Sequence, residues 1–345
     1  MTQSRAEQSR AEQSRAERSS FLDIIKGASV LFVVVTHFSW LDTHRLWMLF
    51  PFWIDMAVPI FMIVSGYVNA LSYDRHDVST CGQAYAWRRI VKSTIRLTAP
   101  FLIAYLVEVL RLLMGHSQMS AAHLVGMFLT GGIGPGSYYY PVMLEFVILF
   151  PILYFIMKCH PLRGIIICAA LNLAFEIGKN MIGMSPEVYR LLICRYILAI
   201  SVGVFIYIYN GKYSMKLISL SLAVGISYQI ATCYMGYKPI IFTQWTDTSM
   251  VSILYIAPVF LFLWKKFRYA KWRGGHILEQ CGRASFEIFL TQMVFYAFAN
   301  GILDKHIGSP MIHLIINIIV CMSIGYIFYR IEWPVTKKII ANVTK

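Results

Sequence analysis

The sequence predicts an all-α fold, a polytopic transmembrane helix bundle with about ten spans and with both termini in the cytoplasm. Three observations support this prediction. Of the 345 residues, 58% are hydrophobic and only 14% are charged, whereas a soluble protein has about 25% charged residues. The apolar residues form repeated stretches long enough to cross a bilayer, and basic residues concentrate in every second loop. This leaves no room for a sizeable separate soluble domain.

The expected spans are stretches of roughly 20 mostly apolar residues, the length needed to cross a hydrocarbon core about 30 Å thick. They lie near residues 21–40, 52–73, 94–114, 138–158, 163–182, 193–210, 214–234, 249–265, 284–303 and 310–330. A short apolar stretch at 121–130 is expected to lie at the membrane interface. The fifth span is unusual because Asn172, Glu176 and Lys179 lie in or beside it.

The distribution of basic residues predicts the orientation, because cytoplasmic loops carry an excess of Lys and Arg. The expected inner segments contain Arg75, Arg88, Arg89, Lys92, Lys158, Arg163, Lys212, Lys216, Lys265, Lys266, Arg268, Lys271, Arg273, Lys337, Lys338 and Lys345. The expected outer loops contain Arg45, Lys179, Arg190, Lys238 and Lys305. We therefore attribute the net charge of +14 to membrane topology, and we expect no nucleic-acid partner.

The chain is expected to consist of a polar tail at 1–20, a membrane domain at 21–338 and a short tail at 339–345. Residues 4–18 repeat one pentad, SRAEQ-SRAEQ-SRAER, which is typical of a solvated tail and not of a signal peptide. The seven cysteines are scattered, and no CxxC or Cys/His cluster occurs. Neither a metal site nor a disulfide framework is predicted, and buried free thiols are expected instead.

The first span carries Asp23, Lys26 and His37, and a charge at bilayer depth is costly unless it is paired or hydrated. Eleven residues at about 100° each bring Lys26 and His37 within about 20° of each other, roughly 16 Å apart along the axis. Asp23 also falls near this face. Histidine suits general-base chemistry near neutral pH. The alternative is that Lys26 reaches to the interface and that His37 is a packed, hydrogen-bonded side chain.

Further charges lie where the third span begins and inside later spans. Arg88, Arg89, Lys92 and Arg96 either anchor the inner membrane surface or hold a phosphorylated cytosolic ligand. Glu108 and Arg111 are three residues apart and are expected to form an internal pair. Other charges within spans are Glu145, Arg195 and Glu287. Glu145 follows three tyrosines and has either a functional or a structural role.

These residues, in this order, resemble the bacterial membrane acyltransferases called acyltransferase family 3. Asp23, Lys26, Gly27, Ala28 and His37 are similar to its opening motif, with the same ten residues between the basic residue and the histidine. The further similar segments are VPIFMIVSGYV at 58–68, the Arg-rich entry to the third span at 88–102, YYYPVMLEFVILFPIL at 138–153, GRASFEIFLTQ at 282–292 and IEWP at 331–334. The resemblance runs from about residue 21 to 338.

The resemblance implies transfer of an acyl group, often acetyl, from cytosolic acetyl-CoA to a hydroxyl of a cell-envelope carbohydrate at the cytoplasmic membrane, without a metal. It assigns His37 as general base, with Asp23 and Lys26 organising the inner end. It further implies donor binding by Arg88, Arg89 and Arg96, and we expect substrate contacts from Glu145, Tyr139 and Ser65. Lys26 replaces the family's arginine, and Gln292 replaces a late histidine and cannot titrate.

Two other functions remain open from the sequence. A transporter or flippase of a lipid-linked sugar or small solute would use intramembrane charges as its pathway. A sensory or assembly partner would keep the fold without the chemistry. No internal repeat is visible beyond the tail pentads, which counts against a transporter.

Overall fold

In the computed structural model, residues 20–115, 120–209, 213–269 and 275–344 are described. The pentad tract and the basic residues Lys212, Lys271, Arg273 and Lys345 lie outside them. The described residues form helices and no strand. The helices are α1 (20–36), α2 (Asp42–Trp47), α3 (Ala57–Arg75), α4 (Cys81–Ala84), α5 (Trp87–Met114), α6 (Ala121–Leu129), α7 (Tyr139–Cys159), α8 (Pro161–Met181), α9 (Pro186–Leu191), α10 (Ile197–Ile208), α11 (Met215–Gln229), α12 (Ile253–Phe267), α13 (Gly275–Arg283), α14 (Ser285–Phe298), α15 (Asn300–His306) and α16 (Pro310–Val343).

The predicted all-α polytopic bundle is confirmed. Within the described ranges, seven helices are long and apolar enough to cross a membrane, and the bent pair α14–α15, with a 57° bend, is an eighth if it forms one span. The remaining two predicted spans, 21–40 and 193–210, coincide with the shorter helices at 20–36 and Ile193–Ile208. The predicted interfacial stretch at 121–130 is α6. Helix α16 continues well beyond the expected end of the last span and includes most of the predicted tail at 339–345.

The distribution of side chains is that of a protein surrounded by hydrocarbon. Large apolar side chains face outward, such as Leu110, Ile148 and Ile166, which are 58%, 63% and 68% exposed. Polar side chains such as Glu108 and Asn317 are buried. Helices can cross a bilayer because they satisfy their own backbone hydrogen bonds, whereas polar side chains need partners inside the bundle.

A close helix crossing joins α3 to α10 through a pair of glycines. A Cβ on Gly66 would lie 2.1 Å from the backbone oxygen of Ile200, and a Cβ on Gly203 would lie 1.9 Å from that of Ile63. Such distances leave no space for any side chain, so the two backbones are in direct contact. Small residues allow this approach in membranes, where close packing stabilises helix pairs.

Polar residues of the fifth predicted span find partners inside the bundle. The Lys179 ammonium lies 2.8 Å from the Glu176 carboxylate, and both side chains are only 1% exposed. The Tyr189 hydroxyl donates to Glu176 at 2.7 Å, and Asn172 accepts a hydrogen bond from the Leu198 amide at 3.1 Å. This explains how α8 carries polar residues at membrane depth.

The buried charge of Arg195 is held among aromatic rings. Its guanidinium lies 4.9 Å, 4.8 Å and 5.0 Å from the ring centroids of Tyr189, Tyr196 and Trp245. It also donates a hydrogen bond to the Thr248 hydroxyl at 3.0 Å. Cation–π contacts of this kind are strongest where water is excluded, so Arg195 has a structural role at this position.

We predict that Gly66→Ala destabilises the bundle, because the new methyl group would collide with the backbone of α10. Overpacking of this kind costs about 1–3 kcal/mol, and the midpoint of thermal aggregation in detergent measures it. Gly178→Ala is the matched control, since a Cβ on Gly178 in α8 meets nothing within 4 Å. Equal midpoints for the two variants would contradict the close crossing of α3 and α10.

The predicted orientation is testable through Cys81 and Cys159, which are exposed and lie in the segments expected to be inside. In a variant that keeps only these two cysteines, we expect a membrane-impermeant maleimide to label them only after the cells are permeabilised. Trp47→Cys, at an exposed site in an expected outer loop, should be labelled in intact cells. Labelling of Cys159 before permeabilisation would overturn the orientation.

Candidate active site

A large cavity opens between α3, α5, α7 and the α13–α14 junction, with a volume of about 710 Å³. We call this cavity the cationic basin. Its charged lining residues are Lys26, Arg88, Arg89, Lys92, Arg96, Arg283 and Glu287. Positive side chains therefore outnumber negative ones, and the basin favours an anionic ligand.

Local helix structure places three of these cations on one face. Helix α4 begins with a capping box, in which the Thr80 side chain accepts from the Gln83 amide, and the chain then turns into α5 at Trp87. Residues three or four apart on a helix share a face, so Arg89, Lys92 and Arg96 all point into the basin. The resulting stripe of charge runs from the helix start into the bundle.

Aromatic rings hold two of the arginines without neutralising them. The Arg89 guanidinium lies 5.1 Å from the ring centroid of Tyr73, and that of Arg96 lies 5.2 Å from the ring centroid of Trp333. A ring face attracts a cation but leaves the edge of the guanidinium available for hydrogen bonding. Both groups are thus positioned to bind an anion.

Asp23 connects α1 to α13 at the inner end of the site. Its carboxylate lies 2.5 Å from the Lys26 ammonium and 3.5 Å from Arg283. The helices come this close because Gly27 and Gly282 lie at the crossing, where a Cβ on either would fall within 2.0 Å of the opposite backbone. Asp23 therefore orients two of the basin's cations.

His37 lies just after the C-terminal end of α1 and does not line the basin. It is half-buried, and its Nδ1 atom is buried without a hydrogen-bond partner of good geometry. The Gln292 amide of α14 is next to the imidazole, and the Tyr296 ring centroid is 6.4 Å away. Tyr296 also donates to the Val34 carbonyl at 2.9 Å, which fixes α14 against α1.

A glycine-rich loop, residues 131–136, passes beside His37. Gly131, Gly132 and Gly136 have φ of 84°, 104° and 87°, a region that other residues rarely adopt. A Cβ on Gly136 would lie 3.4 Å from the His37 Cε1 atom. The loop thus forms one wall of the histidine's surroundings.

Glu108 anchors this loop, and the predicted Glu108–Arg111 pair is wrong. The Glu108 carboxylate is fully buried and accepts a hydrogen bond from the Ile133 amide at 3.2 Å. Arg111 is exposed, and its side chain does not reach the buried carboxylate. The spacing of three residues allowed a pair, but the loop amides solvate Glu108 instead.

On the side expected to face outward, Thr36, the residue before His37, forms hydrogen bonds with an ion pair. Arg45 lies 2.7 Å from Asp55, which also accepts a hydrogen bond from the Thr36 hydroxyl at 2.9 Å. Arg45 donates to the Thr36 carbonyl at 3.3 Å as well. This outer pair fixes the end of α1 and so positions the imidazole.

A second, narrow space of about 10 Å³ adjoins the basin and is lined on one side by Val33 of α1. We call it the neck. It shares walls with the basin and reaches Val33, which lies one helical turn before His37 and accepts its backbone hydrogen bond. The neck therefore lies between the basin and the turn of α1 that precedes His37.

The structure brings most of the expected site residues to the basin. Lys26, Ser65, Arg88, Arg89, Arg96 and Tyr139 line it, and Asp23 pairs with two of its cations. Glu145 does not reach it, because its carboxylate accepts a hydrogen bond from the Ile193 amide at 2.7 Å. His37 lies beyond the neck.

Sequence reasoning missed the roles of Arg283, Glu108, Tyr296 and the glycine-rich loop. The cluster GGIGPG at 131–136 was a visible signal of unusual backbone conformation. Arg283 stands in the segment GRASFEIFLTQ, directly before α14. In the described part of the chain, no group of three or more His, Cys, Asp or Glu side chains is arranged to hold a metal.

We predict that Glu108→Leu lowers both thermal stability and transferase activity, because it leaves the Ile133 amide without its acceptor beside His37. The loss of a buried hydrogen bond of this kind costs about 1–3 kcal/mol. Glu108→Gln keeps a carbonyl acceptor and should be much milder. Arg111→Leu, exposed on the same helix, is the control, and equal effects of the two leucine variants would contradict the anchoring role.

Comparison with known proteins agrees with this architecture. The family model described as an acyltransferase domain matches residues 19–330. Neither the search of curated proteins nor the search of solved structures gave a match. The match covers nearly the whole chain, which therefore belongs to acyltransferase family 3 and is a multi-pass membrane acyltransferase.

Proposed function

We propose that this protein transfers an acetyl group from cytosolic acetyl-CoA to a hydroxyl of a cell-envelope carbohydrate, with His37 as the general base. The cationic basin beneath His37 carries this proposal. Its cations, its position and its proximity to the turn of α1 that precedes His37 each match one requirement of the reaction.

The basin suits the nucleotide part of the donor. Coenzyme A carries several phosphate charges, and arginine binds phosphate through paired hydrogen bonds. A volume of about 710 Å³ lies within the range of sites that bind ligands of several hundred daltons. Arg88, Arg89 and Arg96 would hold the phosphates, and Ser65 and Tyr139, farther along the wall, would contact the arm that carries the thioester.

The basin opens at the end of the bundle expected to face the cytoplasm. Its rim includes Gln83 and Thr344, and the positive-inside rule places both in the cytoplasm. Acyl-CoA is supplied from that side. We therefore propose that the protein lies in the cytoplasmic membrane. The acceptor would approach from the opposite side, the side of the Arg45–Asp55 pair.

The proposed chemistry needs one base at the meeting point. His37 takes the proton from the acceptor hydroxyl, and the oxygen attacks the thioester carbonyl. The tetrahedral intermediate collapses with cleavage of the C–S bond, and the leaving thiolate takes the proton back from the imidazolium. The ester and free coenzyme A result, so atoms and charges balance.

Asp23 and Lys26 act at the donor end of this scheme. The Asp23 carboxylate fixes the ammonium of Lys26 and the guanidinium of Arg283, so that both cations face the basin. Glu145 accepts a hydrogen bond from the Ile193 amide and so holds α7 against the segment that precedes α10. It would therefore affect acceptor binding through packing and not through contact.

We predict that substitutions at the two ends of the site cause different defects, loss of transfer at His37 and loss of coenzyme A binding at Arg89. In membranes containing His37→Ala, incorporation of label from radioactive acetyl-CoA into envelope glycans should fall about 100-fold or more, while the purified variant still binds coenzyme A. Arg89→Gln should instead weaken coenzyme A binding by about tenfold, through loss of a charged hydrogen bond. Calorimetry on the purified full chain measures the binding.

Arg163→Gln is the matched control, because Arg163 is an exposed arginine of an expected inner segment and does not line the basin. Full incorporation by His37→Ala would remove the proposed base. Movement of glycan across the bilayer with no incorporated label would favour a transporter.

A further inference from the structure

Four aromatic side chains separate the basin from His37. We call Phe61, Tyr139, Phe286 and Phe289 the aromatic collar. The Tyr139 ring centroid lies 6.1 Å from that of Phe61, 6.3 Å from that of Phe286 and 4.8 Å from that of Phe289. The rings thus surround the neck from α3, α7 and α14.

The collar is closely packed and apolar. Phe61, Tyr139 and Phe289 are all buried, and Val33 and Val58 complete the wall. The space left inside is about 10 Å³, which is close to the minimum that accepts a single water molecule. A space of this size has room for about one methyl-sized group, so a longer chain has to displace a ring.

Phe289 forms the end wall nearest to the imidazole. A Cβ on Gly136 would lie 2.8 Å from the Phe289 Cζ atom and 3.4 Å from the His37 Cε1 atom. The ring and the imidazole therefore lie against the same glycine of the loop. An acyl chain that passes through the neck meets Phe289 before it meets His37.

We infer that the aromatic collar selects the acyl group by length and admits acetyl while rejecting longer chains. This inference rests on the proposed function and names the donor that the site accepts. Each methylene group beyond acetyl has to displace a collar ring, and overpacking a well-filled apolar site costs about 1–3 kcal/mol. The cationic basin binds the shared coenzyme A part of every donor equally, so discrimination arises at the collar alone.

The test compares labelled acetyl-, butyryl- and hexanoyl-CoA as donors in native membranes that contain the full chain and supply the acceptor. The wild-type protein should incorporate acetyl at least about tenfold faster than hexanoyl. Phe289→Ala should raise the ratio of hexanoyl to acetyl incorporation by at least about tenfold, because it removes the end wall. Binding of coenzyme A to the purified variant should not change.

Two further variants complete the experiment. Phe61→Leu and Phe289→Leu widen the neck with less loss of packing and should shift the ratio in the same direction. Phe262→Ala removes a ring of the same size from α12, where the side chain faces outward and is 58% exposed, and should leave the ratio unchanged.

The outcomes separate the two proposals. If the wild-type protein transfers no label from any acyl-CoA, the proposed function fails. If it transfers acetyl but none of the collar variants alters the ratio, the collar is not the length filter and this inference alone fails. The same conclusion follows if all collar variants lose transfer from every donor while still binding coenzyme A.

Discussion

A charge at the depth of the hydrocarbon core has to be paired, hydrated or stacked on a ring, and this requirement organises the bundle. It holds the Glu176–Lys179 pair inside the protein at 2.8 Å and surrounds Arg195 with aromatic faces. The basin differs from these sites in that its cations outnumber its acids. Water can hydrate them in an open cavity, and their excess positive charge attracts an anionic ligand that can replace this water.

The same requirement divides the site into three layers. The inner layer is the cationic basin, the outer layer contains His37 with the Arg45–Asp55 pair, and the aromatic collar lies between them. An apolar layer between two polar ones limits the passage of water and ions across the bundle. A reaction that joins a donor from one side to an acceptor from the other needs such a separation, since an open channel would leak.

The positions of the spans and of the basin arginines could be predicted from the sequence, because both follow from where apolar and basic residues are concentrated along the chain. Apolar stretches of about 20 residues are stable in a bilayer as helices, and Arg88, Arg89 and Arg96 mark a loop that is expected to face the cytoplasm. The partner of Glu108 was not predictable, because Ile133 is distant in sequence and lies in a loop of unusual backbone conformation. Glu145 shows the same difficulty, since its partner is the Ile193 amide, and backbone partners leave no trace in composition.

Lys26 and Gln292 depart from the family pattern, and both residues fit the proposed site with a single base. Lys26 cannot form the paired hydrogen bonds of an arginine. Arg283, however, brings a guanidinium to the same Asp23 carboxylate, so a guanidinium is still present beside Asp23. Gln292 cannot carry a proton, yet its amide lies beside the imidazole and donates to the Pro135 carbonyl of the glycine-rich loop at 3.4 Å. It can therefore position the loop and the ring without titrating. In the proposed mechanism His37 moves the proton, and Gln292 beside it contributes only hydrogen bonds.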